Sequence, residues 1–128
     1  MVDTATAPQV VATSHDPVPA VAGQIRRYVR TLLHGWGLAA DRIDDALLVV
    51  EELVANVLDH ARTRFQLVVR RHRDVLHLAV RDHSTRPLEL RPFDPHAARG
   101  RGLQLVSALA LRWGCDEHAD GKTVWVEL

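Results

Sequence analysis

Glu52, Asn56 and His60 recur at four-residue intervals within EELVANVLDHA, residues 51–61. On a helix, that spacing stacks side chains one above another on a single face. The residue types in the stack suit chemistry. The Asn56 amide oxygen is a hard, neutral ligand of the kind Mg²⁺ accepts alongside waters and phosphate oxygens. One turn earlier, the Glu52 carboxylate can hold such a water or take a proton from a nucleophile. The same spacing also fits a solvated helix edge.

Three further stretches carry chemistry-bearing types. Asp82 ends the apolar run LAVRDHS. A carboxylate where a strand meets a loop can accept a hydrogen bond from a ligand amine, such as the exocyclic amino group of adenine, or form an Asx turn with Ser84. GRGLQLV, residues 100–106, puts glycines just before a helix. Their backbone N–H groups can approach an anion there, Arg101 adds a donor fork, and a plain hinge is the alternative. In the terminal DGKTVWVEL, Gly121 fits a turn, while Lys122 and Thr123 could reach a phosphate or a ring.

Other tempting groups have plainer explanations. The eight His form no His-x-x-x-His pair and there is one cysteine, so a zinc site is not expected. Ser84 and Ser107 lack a nucleophile-elbow context. Trp36, Trp113 and Trp125 are expected in the core or at its rim, and Asp59 with His60 can cap the helix end.

The elements that must position these residues follow from periodicity. Residues 1–7 are small and polar and are expected to be disordered. QVVAT predicts a short edge strand. Val21, Ile25, Val29, Leu32 and Leu33 predict a helix from Pro19 to about Gly35, ended by Gly35 and Gly37. A second helix is expected from Arg42 to Ala61, with Asp41 as its N-cap. Its apolar arc holds Ile43, Ala46, Leu47, Val50, Leu53, Val54, Val57, Leu58 and Ala61. Val49 projects into the polar stripe beside Asn56, which predicts that the stripe is partly covered.

FQLVVRRH and VLHLAVRD, turning at Arg73–Asp74, predict a hairpin. A proline-containing loop follows, then a helix over GLQLVSALALRW, then a hairpin turning at Asp120–Gly121. The expected fold class is a two-layer α/β (α+β) sandwich. Helices would cover one face of a mixed, mainly antiparallel sheet.

Length and composition set the remaining bounds. The 128 residues predict a single domain, 1–128. Sixteen acidic residues balance sixteen basic ones, so no basic field points to nucleic acid. No apolar run approaches the roughly 20 residues of a membrane span, and the N-terminus is unlike a signal peptide. One cysteine fits a reduced compartment, and a cytoplasmic protein is expected. Arginine outnumbers lysine fifteen to one, which fits a GC-rich coding sequence.

Taken in order, the stretches WGL, VEELVANVLDHA, RDHSTRP, GRGLQLV and GKTVWVEL resemble the Bergerat-fold (GHKL) ATPases. More narrowly, they resemble the stand-alone anti-sigma-factor serine/threonine kinases. The resemblance spans roughly residues 10–128. It implies ATP and Mg²⁺ as cofactors, with Asn56 on the metal and Glu52 as catalytic base at the water or substrate hydroxyl. Asp82 would bind the adenine amine, and Thr123 would lie on the adenine side. Residues 84–99 would form the ATP lid. Gly100 and Gly102 would sit at the triphosphate, Arg99 or Arg101 could stabilise charge on the transferring phosphoryl group, and Leu103 would be among the cofactor-binding residues. His60 falls where this group usually has a histidine.

The sequence departs from the family pattern in two places. DHSTRP replaces Asp-x-Gly-x-Gly, and the short lid ends in AARGRG. The implied function is phosphorylation of an anti-anti-sigma partner together with sequestration of a sigma factor. No direct contact with nucleic acid or membrane is implied, and homodimerisation through the face carrying Ile25 and Val29 would suit the group. The alternative is a non-catalytic ATP-binding or partner-binding module, a pseudokinase of the same fold.

Overall fold

A computed structural model describes residues 8–88 and 102–128; the expected disorder of residues 1–7 lies outside these. In chain order the elements are β1 (Gln9–His15), α1 (Val21–Gly35), α2 (Ala40–Asn56), a π turn (Val57–Ala61), β2 (Phe65–His72), β3 (Val75–Asp82), α3 (Gly102–Leu109), β4 (Arg112–His118) and β5 (Gly121–Glu127). The strands form one sheet in the order β1-β2-β3-β5-β4. All four pairings are antiparallel, so the sheet expected to be mixed is uniform among the described residues.

Alternation along the strands aims one face at the helices. Phe65, Leu67 and Val69 from β2, Leu76, Leu78 and Val80 from β3, and Val124 and Val126 from β5 enter the core. They meet Val21, Ile25, Val29 and Leu33 of α1, the apolar arc of α2, and Leu103 and Val106 of α3. Ile25 and Val29 are therefore interior, which corrects their suggested place in a dimer face. No helix among the described residues is long and apolar enough to cross a membrane.

Local boundaries have local causes. Gly37 takes the left-handed conformation, φ 79°, after α1. Its N–H donates to the His34 carbonyl and that of Leu38 to the Leu33 carbonyl, closing the helix end in a Schellman motif. Helix α2 starts earlier than expected, because Ala39 is already extended and serves as the N-cap. Asp41 instead sits in the first turn, where its Oδ1 accepts the Arg42 N–H at 2.9 Å and its charge suits the helix dipole. Helix α3 ends at Leu109 rather than running to Trp113. The Leu111 N–H donates to the Glu127 carbonyl, which draws the chain into β4.

The sheet's other face carries Trp125, stacked on His77 with ring centroids 6.1 Å apart. Desolvation there, with Arg70 and Arg112 nearby, lowers the His77 pKa from its ordinary 6.5, against a raising effect of Glu127. The folded state thus holds His77 neutral, while the unfolded chain takes up its proton first as pH falls below 6.5. Stability should decline with falling pH through that window and level off below the folded value. A His77→Gln variant should lack this step in urea denaturation series measured across pH.

Gly121, at the start of β5, fixes how closely β5 approaches β3. A Cβ there would lie 2.0 Å from the Asp82 carbonyl oxygen, a backbone atom that cannot swing aside. Gly121→Ala should destabilise the fold by about 1–3 kcal/mol, the usual cost of overpacking. The effect should read as a lower urea midpoint at unchanged slope.

Candidate functional site

At one end of the sheet the inward rows of β3 and β5 stop being apolar. Leu78 pairs with Val126 and Val80 with Val124, and the next pair in register is Asp82 with Lys122. Both side chains face the core side, and both are buried, Asp82 at 3% exposure and Lys122 at 6%. The Lys122 ammonium donates to Asp82 Oδ2 at 3.0 Å and to Oδ1 at 3.2 Å. Oδ1 also accepts the Ser84 N–H at 2.9 Å. The Asx turn with Ser84 and the strand-end carboxylate in a pocket are thus both present.

Asp82 and Lys122 line a cavity with Leu53, Asn56, His60 and Val80. Asn56 is the last residue of α2, and the chain then widens into the π turn that carries His60. The Arg62 N–H closes that turn on the Val57 carbonyl at 2.7 Å, with Arg62 left-handed at φ 55°. A π turn inside a helix is rare and often sits at functional sites. Asn56 and His60 line the same cavity across this turn. From the other side, the Arg86 N–H donates to Ser84 Oγ at 3.1 Å, and Pro87 and Leu88 close over the cavity. The enclosed space is only about 20 Å³, enough for roughly one water.

The structure thus brings Asn56, His60 and Asp82 together. Glu52 lies elsewhere. At 9% exposure it lines a wider cleft of about 320 Å³, with Arg26, Glu51, Ala55 and Leu58, and Leu105 of α3. Val49 is fully buried while Asp45 is exposed, so the polar stripe of α2 is partly covered, as expected. Gly102 opens α3. Leu103 is buried in the core, which leaves its backbone rather than its side chain available to a ligand. Arg99, Gly100 and Arg101, with most of the lid expected at 84–99, lie outside the described residues.

Thr123 corrects the adenine-side expectation. Strand alternation turns it to the opposite sheet face, where its hydroxyl lies 2.9 Å from His118 Nε2. Lys122, its neighbour, is the residue that enters the pocket. Sequence reasoning placed Lys122 near a phosphate or ring but missed its ion pair. The available signal was the inward register of position 122 beside Val124 and Val126.

The donor set can be weighed against a magnesium nucleotide. Among the described residues, no group of three or more His, Cys, Asp or Glu could hold a metal. Mg²⁺ at the Asn56 amide oxygen would need waters and phosphate oxygens to complete its shell, which is its usual habit. The cleft beside Glu52 has room for polar groups. At the Asp82 end the chemistry fits a base amine, but that carboxylate already has a cation.

Residues 16–128 match the family described as histidine kinase-like ATPase domain. No curated protein matches the sequence. The fold is similar to the crystal structure of the RsbU and RsbW domains of Rv1364c from Mycobacterium tuberculosis, with a TM-score of 0.72 and 17% identity. That match covers 93% of this chain and 31% of the other, so the chain spans about a third of its structural neighbour.

Removing either charge alone would strand its partner in the interior. Asp82→Asn should therefore cost about 3–5 kcal/mol of stability. Asp82→Asn combined with Lys122→Met should recover most of that loss, measured as the coupling in a double-mutant cycle of urea midpoints.

Proposed function

The chain belongs to the histidine kinase-like ATPase domain family, and on that premise we propose that it is an ATP-dependent anti-sigma regulator. In this reading it phosphorylates a serine or threonine of an anti-anti-sigma partner and sequesters a sigma factor. One observation carries the proposal: Asn56 at a helix end and Asp82 at a strand end converge on one cavity. The resemblance of the ordered motifs to anti-sigma serine/threonine kinases supports the choice of partners. Residues 1–128 would act as one unit in a cytoplasmic setting, with 84–99 as lid.

Each residue has a role its chemistry supports. Asn56 would hold Mg²⁺ through its amide oxygen, and Asp82 would accept from the base amine. Mg²⁺ held there would supply positive charge to offset that on the transferring phosphoryl group. Glu52 orients the substrate hydroxyl and accepts its proton, its side chain kept in place by burial in the α1–α2–α3 cleft. Arg99 and Arg101 supply cationic donors to the phosphates, with the backbone at Gly100, Gly102 and Leu103 beside them.

A second reading, a non-catalytic ATP-binding or partner-binding module, is favoured by a specific observation. Lys122 already satisfies Asp82, and Glu52 lines a cleft apart from Asn56.

Calorimetric titration of ATP with and without Mg²⁺ should give magnesium-dependent binding that Asn56→Ala abolishes. Glu52→Gln should keep that binding yet slow phosphoryl transfer to an anti-anti-sigma protein about 10²–10⁴-fold. Binding without any transfer to a panel of such proteins would select the non-catalytic module. Absence of binding at millimolar ATP would remove the nucleotide site altogether.

A further inference from the structure

Arginine fills fifteen of the sixteen Lys and Arg positions, and the single lysine stands at the buried position 122. Its ammonium reaches both oxygens of Asp82, the carboxylate assigned above to a ligand amine. With the Ser84 N–H also on Oδ1, three hydrogen-bond contacts already address this carboxylate. The remaining space of about 20 Å³ is far below the roughly 300 Å³ at which ligand pockets begin. Lys122 is among the side chains that hold the cavity at this volume.

The sheet register provides a second resting place. Lys122 is directly opposite Asp82 on β3 and directly opposite Glu117 on β4. Side chains of directly paired residues project to the same sheet face, with Cβ atoms roughly 4.5–5.5 Å apart. Asp82 is buried, whereas Glu117 is exposed. A flexible four-carbon stem can carry a compact ammonium from one carboxylate to the other, which a rigid guanidinium fork does less readily.

We propose that Lys122 is an internal competitor for the base-side carboxylate: its ammonium occupies Asp82 in the ligand-free protein and transfers to Glu117 when a ligand amine takes its place. The idea rests on the assignment of this cavity to a nucleotide base, and it adds how that site is kept shut. Occupancy by Lys122 lowers apparent affinity by the fraction of time the site is open. Lys122 thereby sets affinity, and it favours ligands that bring an amine to replace it.

The test uses ATP·Mg²⁺ as probe on the intact chain. Lys122→Thr, which removes the ammonium and its volume, should bind ATP about tenfold or more tightly than the wild type. Glu117→Gln, which removes the alternative carboxylate, should bind several-fold more weakly. The wild type supplies a readout independent of how the variants fold, since Lys122 is its only side-chain amine. An amine-acylating succinimidyl ester should modify Lys122 slowly without nucleotide and faster with it, followed by peptide mass spectrometry.

If Lys122→Thr, with a circular dichroism spectrum matching the folded wild type, binds as weakly as the wild type or more weakly, Lys122 does not compete with the ligand and the inference fails, although the nucleotide site stands. If ATP slows the acylation, Lys122 contacts the bound base instead, and the inference again fails. If neither protein binds ATP at millimolar concentration, the nucleotide assignment fails and the competition falls with it.

Discussion

A buried ammonium and a buried carboxylate, one on each of two neighbouring strands, determine how this end of the molecule is put together. Each charge alone would be costly to remove from water, and together they are tolerable only at hydrogen-bond distance with their remaining capacity satisfied. Satisfying that condition needs several elements at once. β3 and β5 must pair so that Asp82 faces Lys122, which continues the register of Val80 with Val124. Gly121 must lack a side chain so that the chain passes against the Asp82 carbonyl. Ser84 must turn back so that its N–H reaches Oδ1. The end of α2 must cover the pair, which brings Asn56 and His60 to the same cavity.

The same arrangement links stability to function. In the proposed reading, a carboxylate held dry at a strand end accepts from a ligand amine, because low local polarity strengthens the hydrogen bonds it makes. The cost of leaving it unpaired explains why an internal cation is present in the ligand-free protein. A site built in this way cannot be both fully satisfied and open. Membership of an ATPase-domain family and a small cavity at Asp82 are compatible if, as proposed, the cation moves.

Much of this was legible in the sequence. Apolar periodicity located both hairpins and the three helices. The position of Val49 within a polar stripe correctly indicated a partly covered face. The convergence of Asn56 and Asp82 on one cavity was implied only by the family resemblance of the ordered motifs. Other features depended on tertiary structure. Whether Lys122 or Thr123 faces the pocket depends on strand register, and a shift of one residue exchanges the two faces. The π turn after Asn56 has no counterpart in a pattern read at constant α-helical pitch. Ile25 and Val29 read equally well as core or interface until the sheet they pack against was known. The division between the Asn56 cavity and the Glu52 cleft depends on how α3 packs, not on the four-residue spacing along α2.

The most direct test of the central claim uses the single lysine. In protein labelled with ¹⁵N-lysine, one side-chain Nζ resonance reports the ion pair alone. The structure predicts an ammonium signal that persists at neutral pH, because its protons are shielded and hydrogen-bonded, and that is lost or strongly shifted in Asp82→Asn. A signal already broadened away by exchange with water in the wild type, or one unchanged by Asp82→Asn, would show that Lys122 does not sit on Asp82 and would contradict the account.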